Sequence, residues 1–130
     1  MDISVRSDDY QVENRAWLGS RDGTEFTETI TLDTSAFTAG THYPNGYVAS
    51  GTVLGKITAT GLYGPYDNAA SDGRQVADGF LFNSTPMRSG GPDVGAPLQW
   101  RGVIREAKLP ANHGLDSAAK TDLAAKFRFK

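Results

Sequence analysis

The sequence contains no cysteine and only two histidines, two tryptophans and two methionines. Without cysteine there is no disulfide, no thiol nucleophile and no cysteine zinc site. No apolar run approaches the ~18 residues that cross a bilayer, so no membrane partner is expected. The first ten residues, MDISVRSDDY, lack the basic start and apolar stretch of a secretory signal. Metal-binding spacings such as H-x-x-x-H and H-E-x-x-H are missing as well. His42 and His113 both stand in polar, loop-like contexts, which favours a loop role over a ligand role. The chain has no Walker loop, no G-x-G-x-x-G and no G-x-S-x-G elbow, and the glycines of Gly51–Gly55 are spaced wrongly for the first two. Asp67, Asn68, Asp72 and Asp78 do not follow the calcium-loop spacing and read as a turn. The sum of these gaps is an expectation of no catalysis, no cofactor and no bound metal.

What is there suits one domain. The 130 residues are 38% hydrophobic and 22% charged, a globular rather than a disordered composition. Charge is unevenly distributed. Residues 1–40 carry 3 basic and 8 acidic side chains, residues 41–100 carry 3 and 4, and residues 101–130 carry 7 and 3. An acidic head and a basic tail do not make the broadly basic surface of a nucleic-acid binder, so no nucleic-acid partner is expected. The basic tail reads either as one contact patch or as a solvated face.

Short segments of period-two patterning lie between 15 glycines and six prolines. Phe26–Leu32 sets Phe26, Ile30 and Leu32 against threonines, and Thr52–Thr60 sets Val53, Gly55, Ile57 and Ala59 against Lys56 and Thr58. Gly79–Asn83 aligns Phe80 with Phe82. Leu98–Glu106 reads as one strand with Leu98, Trp100, Gly102 and Ile104 inward, which makes Trp100 a core residue. Phe127–Lys130 alternates too. Pro44-Asn45-Gly46 signals a turn leading into a short strand at Tyr47-Val48. All six prolines stand where loops or boundaries are expected. Asp116 can cap one short helix that carries Ala118, Ala119, Leu123 and Ala124. The fold expected is mainly β: a small β-sandwich or barrel-like domain over residues 26–130, with one short C-terminal helix.

Residues 1–25 read as an extended N-terminal arm. They hold Asp2, Asp8, Asp9, Glu13 and Asp22 among scattered apolar side chains, Ile3, Val5, Tyr10, Val12, Trp17 and Leu18, with no local core to receive them. Trp17-Leu18 is a candidate anchor for a partner. The competing reading folds Trp17 back onto its own domain, and a first strand of the main sheet is the alternative for the stretch as a whole. Asn83-Ser84-Thr85 matches a glycosylation sequon but is read as a chance match.

Gly51-Thr52-Val53-Leu54-Gly55-Lys56-Ile57 and Asp72-Gly73-Arg74-Gln75-Val76-Ala77-Asp78-Gly79-Phe80-Leu81-Phe82, followed by a strand with basic residues, a short helix and a terminal strand, resemble the tailed-phage head decoration proteins of the lambda type. The resemblance covers roughly Ile30 to Phe129. It implies a capsid decoration (cement) protein without catalysis, a homotrimer seated at three-fold sites of the expanded head shell, with the major capsid protein and itself as partners. It places the protein on the outer surface of the virion capsid, and in the host cytoplasm during assembly. It also implies that Ile3, Val5, Tyr10, Val12, Trp17 and Leu18 belong to a capsid-binding arm that adds as a strand to a capsid-protein sheet. Arg101, Arg105 and Arg128 are the candidates for subunit or capsid contact. A small β-type carbohydrate- or protein-binding module of a virion is the alternative, with Tyr63 and Tyr66 around Gly64-Pro65 as its candidate aromatic platform.

Overall fold

The computed structural model describes residues 14–21, 24–25 and 27–130. Among them stand the strands β1 (Thr27–Leu32), β2 (Tyr47–Val48), β3 (Val53–Lys56), β4 (Tyr63–Pro65), β5 (Gly79–Leu81), β6 (Thr85–Pro86), β7 (Val94–Gln99), β8 (Gly102–Ile104) and β9 (Phe127–Phe129). Two helices join them, α1 (Ala39–His42) and α2 (Ser117–Leu123). The mainly β expectation holds, and so does the C-terminal helix. The four-residue α1 was not foreseen, because one turn of AGTH carries no helical periodicity to read.

Five strands close a barrel in the order β1-β4-β3-β5-β7, with β7 returning to β1. The longest pairing is the antiparallel β1–β7 ladder, Thr27 opposite Gln99 through Leu32 opposite Val94. Ile30 and Leu32 are buried while Thr29 and Thr31 are exposed, as period-two patterning requires. Phe26 lies outside the described residues. An antiparallel pair, β2 with β6, and a parallel pair, β8 with β9, flank the barrel.

The core has two compartments divided by β3 and β5. Leu54 and Leu81 point inward with Ile30, Leu32, Val48, Tyr63 and Leu98. Their chain neighbours Val53 and Phe80 point the other way, into a second cluster with Trp17, Tyr66, Ile104, Ala119, Leu123 and Phe127. A strand covered on both faces loses polar alternation. Val53, Leu54 and Gly55 are therefore all buried, and the expected one-sided strand at Thr52–Thr60 stops at Lys56, with Ala59 exposed. Helix α2 roofs the second compartment. The Asp116 carboxylate caps it by accepting from Ala119 N at 2.8 Å.

Three expectations are corrected. Leu98–Glu106 is two strands, not one: β7 ends at Gln99, the chain bends at Trp100-Arg101, and β8 starts at Gly102, whose φ of 146° only glycine adopts readily. Gln99, fully buried, holds the bend through its Nε2 donating to the Arg101 carbonyl at 3.0 Å. The bend turns Trp100 outward. It is half-buried at the surface with the Lys126 ammonium 5.7 Å from its ring centre, and is not a core residue. Pro97 lies inside β7 rather than at a loop or boundary, whereas Pro65 and Pro86 end β4 and β6 as expected. Proline can sit in a strand where only its carbonyl is needed, and the Pro97 carbonyl accepts from Phe82 N at 3.0 Å.

Candidate functional site

The expected arm divides at its middle. Ile3, Val5, Tyr10 and Val12 lie outside the described residues. Trp17 does not: its side chain is 0% exposed, so the exposed-anchor reading of Trp17 is corrected in favour of its folding back. The indole stacks on Phe80 with ring centres 5.6 Å apart and donates from Nε1 to Ser50 Oγ at 3.2 Å. Ser50 Oγ in turn donates to the Phe82 carbonyl at 2.7 Å, so the only polar atom of the indole is satisfied in the core. Gly51 makes the room. A Cβ there would stand 2.9 Å from Pro110 Cδ and 3.0 Å from the indole, at a φ of +98°. Leu18, half-buried, packs against the same cluster and bridges Ile104. Gly19 N donates to the Val103 carbonyl at 2.8 Å, and Arg105 N to the Trp17 carbonyl at 2.7 Å. Arg15 closes the junction, with its guanidinium 4.2 Å from the Phe82 ring centre and hydrogen bonds to the Phe82 carbonyl and Asn83 Oδ1. Residues 15–19 thus pack onto β8 and the second compartment. Sequence reasoning missed this because the partners, Ser50, Phe80 and Ile104, are remote in the chain.

Five of the seven cations of the basic tail are brought together, with Lys108 and Lys120 elsewhere. The β8–β9 register sets Gly102 opposite Phe127, Val103 opposite Arg128 and Ile104 opposite Phe129. Gly102 and Ile104 are buried and Val103 is half-buried, while Phe127 is buried and Arg128 exposed. One face of this pair therefore covers the second compartment. The opposite face carries Arg101, Val103 and Arg105 in one row and Lys126, Arg128 and Lys130 in the next. The rows extend past the strands because Gly102 N donates to the Lys126 carbonyl and Glu106 N to the Lys130 carbonyl, each at 3.1 Å. Arg105, Lys126, Arg128 and Lys130 are exposed. The acid nearest in sequence, Glu106, is engaged by Lys120 at 2.7 Å on the helix side. A shallow depression of about 250 Å³, lined by Trp100, Arg101, Ala125 and Lys126, ends the patch. Clustered cations on a rigid sheet raise the local potential and attract an anionic partner.

The alternative platform does not form. Tyr63 and Tyr66 are 5% and 7% exposed, and their hydroxyls donate to Asp78 Oδ2 at 2.8 Å and Asp116 Oδ1 at 3.0 Å. Burial, reinforced by these carboxylates, pushes the Tyr66 phenol up to about 12 and raises that of Tyr63 further. Both rings face inward and offer no surface for stacking a sugar. Asp67–Asp78 is the expected turn-rich loop. Its Asp72 carboxyl is held below the usual range by the Arg74 amide first and the Arg74 guanidinium after it. His42 Nδ1 accepts from Thr38 N and His113 Nδ1 from Leu115 N, both at 2.8 Å. Both rings are held below the usual histidine range by burial, with the Arg74 charge adding to it at His42. His42 ends α1 and ties back to the helix's N-cap residue, which corrects its expected loop setting, while His113 fastens a loop. Among the described residues no cluster of three or more His, Asp or Glu is placed to hold a metal ion.

Compared with known proteins, residues 13–128 match the family described as bacteriophage lambda head decoration protein D. The matched stretch begins just ahead of Trp17 and runs through both core compartments to β9. No curated protein matches the chain.

Proposed function

Because the chain belongs to the bacteriophage lambda head decoration protein D family, we propose that it binds the expanded head shell as a homotrimer at three-fold sites and stabilises it. Head decoration proteins are structural and not enzymatic, bind the capsid shell and are located on the phage virion capsid. The finer reading rests on one observation above the others: the family match spans the entire described fold, from the Trp17 junction to β9. The start of the chain, with Ile3 and Val5 in alternation, supplies strand-like contacts to the major capsid protein. The basic face of β8 and β9, with Arg101, Arg105 and Arg128, faces an acidic neighbour. The protein meets the shell in the host cytoplasm during assembly and ends on the outer surface of the head.

Physical logic supports this role. Any molecule that binds an assembled lattice and not its free subunits stabilises the lattice by mass action. Three segments presented by one trimer engage together, so weak single contacts multiply through effective concentration. The direct test is co-sedimentation with expanded and unexpanded shells, with native mass spectrometry of the free protein. The expected outcome is saturable binding to expanded shells only, and a species at three times the 13.9 kDa chain mass. Equal binding to both shell forms, or none to either, refutes the reading.

A further inference from the structure

Strand β9 has one open edge. Among the described residues it pairs with β8 alone. Its groups at Lys126 and Lys130 point toward β8, since the Lys126 carbonyl accepts from Gly102 N and Lys130 N donates to the Ile104 carbonyl at 2.8 Å. In a parallel ladder the backbone groups of Phe127 and Phe129 therefore point the other way. An unpaired row of N–H and C=O groups is a template for another strand. This edge is flanked on its outer face by Lys126, Arg128 and Lys130, and on its inner face by the Phe127 and Phe129 rings, 6.4 Å apart.

We infer that the occupant of this edge is the segment Asp9-Tyr10-Gln11-Val12-Glu13 of a second copy of the chain. Charge and periodicity both fit. Laid as a strand, the segment puts Asp9, Gln11 and Glu13 on one side and Tyr10 and Val12 on the other. The acidic side then lies along Lys126, Arg128 and Lys130, and the apolar side extends the Phe127–Phe129 face. Opposite charges directly across a strand pair contribute favourably, and so do aromatic and β-branched pairs. The segment's own chain is poorly placed to fill the edge. Trp17–Gly19 occupies the opposite side of β8 from β9. Asn14 stands beyond it with Tyr47, Ser50 and Lys108.

Each copy then gives a strand to the next, a head-to-tail contact that closes into a ring when the rotation permits. This deepens the proposed trimer and divides the arm. Asp9–Glu13 fastens the neighbour, and Ile3 and Val5 remain for the shell.

The test needs no shell, so its failure is distinct from failure of the decoration role. The chain lacks cysteine, so single thiols report unambiguously. Full-length Gln11→Cys and Arg128→Cys proteins are mixed in equal amounts and oxidised, with Gln11→Cys plus Thr29→Cys, on the exposed outer face of β1, as the control. A covalent dimer in roughly tenfold excess over the control is expected, because only thiols within cross-strand distance can bridge. The excess should fall in ~1 M salt, where the Debye length shrinks to ~3 Å. If Arg128→Cys does not fold, Lys130→Cys takes its place. Yield no higher than the control overturns the inference. So does a link that forms only within one chain of the Gln11→Cys/Arg128→Cys double variant, since the occupant is then the chain's own segment.

Discussion

At the scale of single residues, Trp17 ties the start of the described chain to the rest. Its indole fills the space between Phe80, Ser50 and Gly51, and leaving that space empty costs both transfer and cavity energy. Trp17→Ala is expected to destabilise the domain by about 3–5 kcal/mol, read as a lowered denaturation midpoint. An exposed anchor would leave the midpoint unchanged. The histidines make a second residue-scale prediction. Each accepts a backbone N–H through Nδ1, which requires that nitrogen to be unprotonated, and burial lowers both affinities for protons. The folded state therefore binds fewer protons than the unfolded state around the ordinary histidine value. The contribution is complete above ~6.5 and is lost as pH falls below it toward the lowered folded values. Thermal melts between pH 7.5 and 5 should show this loss, and replacing both histidines by glutamine should flatten it. A slope unchanged in the double variant would assign the dependence elsewhere. Trp17 also shows where local reading ends. The Trp-Leu pair was visible in the sequence, but its burial depends on Ser50, Phe80 and Ile104, which only the fold brings near.

Among the elements, legibility followed the number of faces an element buries. Strand β1 buries one face, and its alternation of threonine with Ile30 and Leu32 was readable directly. The cap at Asp116 and the turn at Gly46, whose N–H donates to the Tyr43 carbonyl at 3.1 Å, were readable for local reasons too. Strands β3 and β5 divide two compartments, so their patterns carry no polar face to mark a period. The bend between β7 and β8 hid inside an alternating run, since Gly102 fits that pattern as well as it fits a break. The basic rows were legible as charge but not as geometry, since the parallel register of β8 and β9 sets which cations adjoin. Charge reversal at Arg105 and Arg128 is expected to weaken shell binding, with the loss shrinking as salt rises toward the screening limit. Titration of shells with the double variant at two salt concentrations checks this, and binding unaltered at low salt would leave the face merely solvated.

For the whole molecule, a closed barrel with a helix-roofed second core forms one body, with residues 17–19 knit to β8. Residues ahead of Asn14 attach to that body at a junction fixed by Arg15 and Trp17. In the account given above, this body and Asp9–Glu13 hold the trimer, and the stretch with Ile3 and Val5 supplies the grip on the shell. The most direct measurement is therefore the shell affinity of a variant lacking residues 2–7, which removes Ile3 and Val5 and spares Asp9–Glu13. The account predicts an unchanged melting temperature, an unchanged trimer mass, and shell binding weakened by at least roughly tenfold through three lost contacts acting together. Shell binding equal to that of the full chain, with fold and trimer intact, would contradict it and place the affinity in the barrel domain itself.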